Sequence, residues 1–377
     1  MRIIVLGAGL VGGAIVKDLA KEAEFDLTVV DLSAQALRRL EGHAKVKTVQ
    51  VDLQKEDVHA LLRGCDLVVC AVPGFMGFAT LKRVIEAGKD VVDISFFPED
   101  AFQLDELAKA RGVRAVVDCG VAPGLCNVLA GRVDTLLDPL DSYACYVGGL
   151  PRVRRWPYEY GAVFSPSDVL EEYTRLAYQV EDGREVVRLA LSEVELLDFP
   201  EVGTLEAFNT DGLRSLRKTL RAPSMKEKTM RYPGHANLMR VFRESGFFSP
   251  EPVQLQGQAV SPLALTSKLL AQQWQLKEGE EDLTVMRVAL EGRKKDQRYR
   301  YSYDLLDRYD AATGTTSMAR TTGYTCSIVA RQLAKGLWTQ KGICPPEFLG
   351  RDPACFEHLM AEYAKRNIRV KETVTPL

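Results

Sequence analysis

Gly7, Gly9 and Gly12 stand at G-x-G-x-x-G spacing behind the apolar run Ile3-Ile4-Val5-Leu6, and Asp31 follows nineteen residues after the last of them. This combination suits a dinucleotide. Gly7 permits a tight turn, Gly9 lets the backbone approach a pyrophosphate, and Gly12 lets the helix beginning at Val11, just after Leu10, pack close to the strand. Anionic phosphates then meet the free N–H groups at that helix's N-terminus. At its distance Asp31 accepts both ribose hydroxyls of an adenosine and repels a 2′-phosphate, so the expected cofactor is NAD rather than NADP. An acid at a strand end can instead cap the next helix, a role for which Ser33 is an equal candidate.

The elements that would position these groups follow in a regular rhythm. Apolar strands are expected at residues 3–6, 25–31, 46–52, 65–73, 90–94 and 113–118, and helical patterns at 11–20, 34–40, 55–62, 79–87 and 101–110 lie between them. Such alternation implies a parallel, doubly wound sheet of the Rossmann type. Ligands of open α/β sheets bind at strand C-termini, which brings Ala71, Val72 and Pro73 to the dinucleotide edge. Asp52 and Leu53 would flank the adenine, Asp52 accepting from the exocyclic amine, although a solvated strand-end acid fits Asp52 equally. Asp93 and Asp118 end the last two strands, on the rim where a nicotinamide belongs.

From Asp141 the pattern changes. Residues 141–147, 228–232, 282–290, 297–305 and 315–320 read as strands joined by turns, so an inserted α+β domain on a mainly antiparallel sheet is expected. A helix from Ser261-Pro262 to about Gln275 would cover one face of it. Residues 324–335 read as a helix with Thr321 or Thr322 as N-cap, returning to the first domain. The expected division is a dinucleotide domain at 1–122, a substrate and dimerisation domain at 123–322, a returning helix at 323–350 and a motif-free tail at 351–377.

A formal charge of -2 argues against nucleic acid or an anionic membrane as the main partner. No apolar run is long enough to span a bilayer, and the apolar opening runs straight into the glycine turn instead of forming a signal peptide, so a cytoplasmic protein is expected. The eight cysteines form no C-x-x-C pair and stand near no ligand-like histidine, which points to buried thiols and to no metal site.

The segment Asp118-Cys119-Gly120-Val121-Ala122-Pro123-Gly124 adds a family likeness. With the first glycine turn, Tyr146-Val147-Gly148-Gly149-Leu150-Pro151, Glu159-Tyr160, Val163-Phe164-Ser165, Leu205-Glu206-Ala207-Phe208, Arg231-Tyr232, Gly234-His235 and Met318-Ala319-Arg320-Thr321-Thr322, the chain resembles the saccharopine dehydrogenase-like family, and within it the lysine 6-dehydrogenases. The resemblance extends over nearly the whole length. Saccharopine reductases of this family usually carry an acid before the Pro-Gly, where this chain has Ala122. The resemblance therefore implies oxidative deamination of the ε-amine of L-lysine with NAD, giving a semialdehyde that cyclises to a piperideine carboxylate, in a homodimer joined through the β domain. A saccharopine or carboxyspermidine-type reductase and a non-enzymatic NAD-binding regulator are the competing expectations.

Such chemistry calls for a group that deprotonates the amine, because free lysine is cationic with a reference pKa of about 10.4. His235 is one candidate, since a Pro-Gly turn would present it at a strand end; a histidine hydrogen-bonded within a loop is the plain alternative. Asp118 and Asp93 are the others, and for both an acid capping the following turn fits as well. His43, His59 and His358 have no catalytic context. Glu159 is a candidate for binding the substrate amine. An α-carboxylate calls for a guanidinium fork or a helix start, for which Arg231 and Thr321-Thr322 are the candidates. Arg152, Arg154 and Arg155 read as a solvated charge run, and Cys119 as a packing residue.

Overall fold

The computed structural model describes residues 1–42, 45–163, 166–277 and 279–377, with backbone alone at Pro166 and Ser167. His43 and the Phe164-Ser165 part of the family segment lie outside the described residues. The chain forms two compact units, Met1–Leu136 with Ala319–Arg369, and Leu137–Met318 with Val370–Leu377.

In chain order, the first unit contains β1 (Arg2–Leu6), α1 (Leu10–Leu19), β2 (Asp26–Asp31), α2 (Ala34–Arg38), β3 (Val46–Gln50), α3 (Val58–Leu61), β4 (Leu67–Cys70), α4 (Gly74–Glu86), β5 (Asp90–Asp93), α5 (Asp105–Ala110), β6 (Arg114–Val116) and α6 (Leu125–Asp134). The second unit follows with β7 (Leu140–Pro151), α7 (Pro166–Thr174), β8 (Ala177–Glu181), β9 (Arg184–Arg188), β10 (Glu195–Phe199), β11 (Gly203–Asn209), α8 (Leu216–Thr219), β12 (Ser224–Arg231), α9 (His235–Glu244), β13 (Val253–Leu255), β14 (Gln258–Val260), α10 (Pro262–Trp274), β15 (Asp282–Lys294) and β16 (Gln297–Arg308). Then come α11 (Ser317–Ala334), β17 (Gly342–Cys344), α12 (Pro346–Arg351), α13 (Pro353–Lys365) and β18 (Val370–Pro376).

The first sheet is parallel, in the order β17-β6-β5-β4-β1-β2-β3. Its central strands are apolar along their length because helices cover both faces; every residue from Ile3 to Leu6 and from Leu67 to Cys70 is buried. Leu6 pairs with Val30 on one side and Cys70 on the other, which aligns Gly7, Asp31 and Ala71 along one edge. All six expected strands are present. A seventh, β17, comes from the C-terminal region, and three residues carry too little periodicity to reveal it.

The second sheet is mixed, in the order β10-β11-β12-β7-β15-β16-β18, with β8 and β9 attached through β12. Only β12 and β7 run parallel, so the mainly antiparallel expectation holds. Helices α7, α9 and α10 share an apolar core around Tyr160, Leu170, Tyr173, Phe208, Met239 and Trp274.

Three readings are corrected. Residues 315–320 are not a strand. Asp282, on β15, accepts the N–H groups of Ser317 (2.6 Å) and Met318 (3.0 Å), and this distant cap starts α11 at Ser317. Thr321 and Thr322 therefore sit inside that helix instead of at its start. The stretch after Gly350 is also not a plain tail: Asp352 caps α13, accepting from Cys355 N–H at 2.9 Å, and β18 joins the second sheet.

The unit boundaries fall at 136/137 and 318/319, where 122/123 and 322/323 were expected. Helix α6 stays with the first unit because glycines let it lie against α12. A Cβ on Gly131 would come 2.0 Å from the Glu347 carbonyl oxygen, and one on Gly350 would come equally near that of Val128.

Candidate active site

The glycine turn carries out three separate tasks. Gly7 has φ +105°, and a Cβ there would meet the Ala71 carbonyl oxygen at 2.3 Å. A Cβ on Gly12 would meet the Gly7 carbonyl oxygen at 2.2 Å, so α1 lies directly against the turn. Around Gly9 nothing lies within 4 Å of such an atom. Gly9 is also the N-cap of α1 with no side-chain cap, which leaves the Leu10 and Val11 end of the helix open to an anion. These residues fit a pyrophosphate.

Asp31 ends β2 half-buried. One carboxylate oxygen accepts Ala8 N–H at 2.6 Å and the other Ser33 N–H at 2.7 Å. Each oxygen keeps a lone pair for a ribose hydroxyl. The cap of α2 is Ser33, accepting from Ala36 N–H at 3.2 Å, so the helix-capping alternative for Asp31 is not the observed arrangement. Asp52 is partly committed, accepting Gln54 N–H at 3.0 Å and facing Lys55 at 3.3 Å. The Leu53 side chain is buried in the core instead of lining an adenine pocket. Ala71 and Val72 follow β4 at the C-terminal edge of the sheet, beside Gly7, and Pro73 is the N-cap of α4.

Asp93 lies fully buried at the end of β5. Ser95 donates to it through its N–H at 2.7 Å and its hydroxyl at 3.4 Å, and the Cys119 N–H bonds the Asp93 carbonyl at 2.9 Å. Burial pushes its carboxyl up; hydrogen bonds from Cys70 and Ser95 oppose this, the charge of Asp118 adds to it, and the outcome is a pKa of about 7. Asp118 follows β6 in a left-handed conformation, φ +52°, and is buried. The two acids thus occupy the C-terminal edge of adjacent strands, as expected.

The turn beyond them depends on Gly124, at φ +136°, where a Cβ would collide with Gly120 at 1.9 Å. Gly124 is the N-cap of α6, and Asn127, three residues on, reaches back with its Oδ1 to accept the Gly124 N–H at 3.1 Å while its Nδ2 bonds Glu347 at 3.0 Å. Thr322 reaches this turn from inside α11, its methyl 3.2 Å from the Cβ position of Gly120. Thr321 is buried, its carbonyl accepting from Thr325 at 2.8 Å and Tyr363 at 3.1 Å. Neither threonine offers the helix-start N–H expected of it.

The second unit gathers another buried cluster. Gly234, left-handed at φ +101°, turns β12 into α9 and makes His235 the first residue of a helix. Glu206 caps that helix by accepting Gly234 N–H at 2.8 Å and Ala236 N–H at 2.5 Å. The His235 ring is enclosed. Its Nδ1 bonds the Tyr158 carbonyl at 2.9 Å and its Nε2 the Tyr173 hydroxyl at 2.8 Å. A carbonyl only accepts, so Nδ1 carries the proton and Tyr173 donates to Nε2. Burial and then the Arg231 charge hold the imidazole down at about 3. His235 is therefore a neutral imidazole with both nitrogens occupied, which corrects its reading as a base at a strand end and favours the hydrogen-bonded alternative.

Arg231 ends β12, 2% exposed. Its Nη2 bonds Glu172 and its Nη1 the Met230 carbonyl, at 2.8 and 2.9 Å, while the guanidinium lies 4.7 Å from the Tyr160 ring centre. The carboxylate fork expected of Arg231 is thus occupied from within the unit, and of its nitrogens Nε lacks a partner. Glu159, left-handed at φ +48° and partly exposed, faces Arg154 at 3.9 Å and is not gathered with these groups. Arg152 and Arg155 pair with Glu281 and Glu280, in keeping with a solvated charge run. Glu172, Tyr173 and Trp274 escaped the sequence reading, since their partners lie far away in the chain and no spacing marks them.

All eight cysteines are buried and free, and burial raises the thiols of Cys70 and Cys119 well above the ordinary range, which disfavours thiolate chemistry. No three-residue metal cluster occurs, and no helix is long and apolar enough to cross a membrane, both among the described residues.

A parallel sheet whose C-terminal edge carries a glycine turn at an uncapped helix start, an acid at the end of the neighbouring strand and a buried carboxyl pair has the architecture of a dinucleotide-dependent oxidoreductase. Residues 3–116 match the saccharopine dehydrogenase NADP binding domain and residues 120–368 the saccharopine dehydrogenase C-terminal domain, so the chain belongs to the saccharopine dehydrogenase family of amine and amino-acid oxidoreductases. It is 24% identical to carboxyaminopropylagmatine dehydrogenase of Synechocystis, over 93% of this chain and 94% of that protein. It is 23% identical to mouse mitochondrial alpha-aminoadipic semialdehyde synthase, over 70% of this chain but only 30% of that longer protein. The fold matches apo saccharopine dehydrogenase (L-Glu forming) of Saccharomyces cerevisiae with a TM-score of 0.80 at 18% identity, covering 99% of both chains.

Proposed function

We propose that this protein catalyses NAD-dependent oxidative deamination of the ε-amine of L-lysine. The observation that carries the reading is Asp93, a buried carboxyl at about 7 beside Asp118, on the sheet edge that also bears the glycine turn and Asp31. NAD, when bound, supplies the hydride acceptor. The chain must hold the amine neutral, because a carbon bearing an ammonium does not release hydride readily; a carboxylate near 7 can take that proton at working pH. One proton and one hydride leave the ε-ammonium to give an iminium, water adds to it, and the carbinolamine so formed expels its nitrogen as ammonium, leaving the semialdehyde, which condenses with its own α-amine with loss of water. The selectivity for NAD rests on Asp31 and on its neighbours Leu32 and Ser33, neither of which could bind a 2′-phosphate as an arginine would. Ala122, standing where saccharopine reductases usually carry an acid, favours a primary amine over saccharopine. The assembly proposed is a homodimer.

The test is to incubate the protein with NAD and, separately, L-lysine, L-ornithine, saccharopine and diamines, and to follow NADH absorbance and ammonia. Lysine turnover with ammonia release is expected. A second reading, oxidation or reductive formation of a carboxyalkylated secondary amine, is favoured by the likeness to the Synechocystis protein across nearly equal lengths. Turnover of such amines with lysine inert would establish it instead.

A further inference from the structure

Asp93 ends β5 beside Cys70 of β4, its register partner, and such partners point to the same face of the sheet. Ser95 joins the two side chains. Its backbone N–H bonds Asp93 Oδ1 at 2.7 Å, its hydroxyl faces Oδ2 at 3.4 Å, and the same hydroxyl lies 3.7 Å from Cys70 Sγ. One residue thus serves both carboxylate oxygens. Asp93 and Cys70 are 0% exposed and Ser95 is 2% exposed, so bulk water does not reach the three.

The place of Ser95 is enforced from a neighbouring helix. Gly77 of α4 passes so close that a Cβ on it would fall 2.6 Å from the Ser95 Cβ and 2.9 Å from Phe97 Cδ1. Phe97 is fully buried and meets Phe78 of α4 edge to face, ring centres 5.7 Å apart. Helix α4 therefore presses on the segment that carries the hydroxyl.

A buried carboxyl that gains and loses a proton changes its bonding needs, since the ionised form only accepts and the protonated form also donates. A backbone N–H can serve the first form alone. A hydroxyl can serve both. Toward the carboxylate, Ser95 Oγ donates to Oδ2 and accepts the weak S–H of Cys70; toward the protonated carboxyl, it accepts from Oδ2 and turns its own hydrogen to Cys70 Sγ. The other titratable groups that face Asp93 are Asp118 and Cys119 beyond β6 and Cys326 of α11. The Asp118 charge opposes ionisation of Asp93, and burial keeps the thiols of Cys70, Cys119 and Cys326 protonated.

We propose that Ser95 is the positioning residue of Asp93, its hydroxyl turning between Oδ2 and Cys70 Sγ as the carboxyl loses and gains its proton. The proposal rests on the reading of Asp93 as the base, and its test separates the two.

The experiment follows the Asp93 carboxyl by NMR of the full chain with isotope-labelled aspartate, the resonance being recognised by its loss in Asp93→Asn. In parallel, kcat/KM for L-lysine with NAD is measured against pH. Ser95→Ala removes the hydroxyl and keeps the backbone N–H. It is expected to raise the Asp93 midpoint by about one pH unit, to carry the acid limb of kcat/KM up with it, and to cost more activity at neutral than at alkaline pH. Cys70→Ala, which removes the second partner of the hydroxyl, is expected to move both in the same direction by less. Circular dichroism melts verify folding, and should Ser95→Ala not fold, Cys70→Ala decides by the same midpoint. An unmoved midpoint in the folded variant, or a loss of activity equal at every pH, overturns the proposal. If the midpoint rises in Ser95→Ala while the wild type leaves L-lysine untouched, Ser95 keeps its part and the lysine reading falls. If L-lysine is oxidised with the same acid limb in both proteins, the reaction stands and the part given to Ser95 falls.

Discussion

Asp31 bonds the backbone N–H of Ala8 at 2.6 Å, so the acid that ends the second strand is tied directly to the glycine turn that ends the first. The carboxylate expected to read the ribose also holds the loop expected to receive the pyrophosphate. Asp31→Ala should weaken NAD about tenfold or more, equivalent to about 1.4 kcal/mol or more, while changing the amino-acid KM far less. Asp31→Asn, which keeps an acceptor and loses the charge, should narrow the preference for NAD over NADP. Fluorescence titration with both cofactors checks this; equal losses for cofactor and amino acid would count against the assignment.

The glycines separate folding from cofactor binding. Gly12→Ala drives a Cβ into the Gly7 carbonyl and should cost about 1–3 kcal/mol of stability even without cofactor. Gly9→Ala meets open space and should stay within about 1 kcal/mol of the parent, yet lose NAD affinity because its methyl enters the phosphate approach. Melting temperatures with and without NAD distinguish the two.

Asp93 makes activity and stability move in opposite directions with pH. Acting as base with a carboxyl at about 7, it should make kcat/KM for the amine fall about tenfold per pH unit below that value. For stability the sign is reversed from that of an ordinary carboxylate. The folded pKa is raised above the unfolded one, so the native state binds the extra proton between about 4 and 7, and stability declines as pH rises through that window. Asp93→Asn should abolish the acid limb together with most of the activity and flatten this decline, as read from urea midpoints at pH 5 and 8.

Asp18, on the dinucleotide-side helix α1, is buried and receives Ser327 at 2.6 Å, Arg331 at 2.7 Å and Arg366 at 2.9 Å. Burial alone would raise its carboxyl, but the guanidinium groups and the Ser327 hydrogen bond outweigh it and hold the group at about 2. Its contribution is therefore complete above the unfolded value near 3.8 and lost as pH falls through 2. Asp18→Asn leaves the buried Arg331 with Glu22 and Arg366 with Glu362 as their remaining counter-ions, and should cost about 2–4 kcal/mol at neutral pH in chemical denaturation. A loss below 1 kcal/mol would show that the cluster does not hold the C-terminal helices to α1.

What the sequence determined by itself is local. A glycine turn, the strand before it, the helix after it and an acid one crossover later lie within some thirty residues, and backbone sterics and helix-end electrostatics act over that range. Hence Gly7 to Gly12, Asp31, the six-strand rhythm and the placement of Asp93 and Asp118 on one edge could be read directly. The tertiary structure decided whatever depends on desolvation or on partners remote in the chain. Burial, which leaves no trace in residue order, is the largest influence on two such groups: it pushes the Asp93 carboxyl up and, with the Arg231 charge, holds the His235 imidazole down. The fold paired Arg231 with Glu172 across 59 positions, and it started α11 at Ser317 by means of Asp282, 35 residues away. It also revealed β17, whose three residues form a strand only because β6 is there to pair with them.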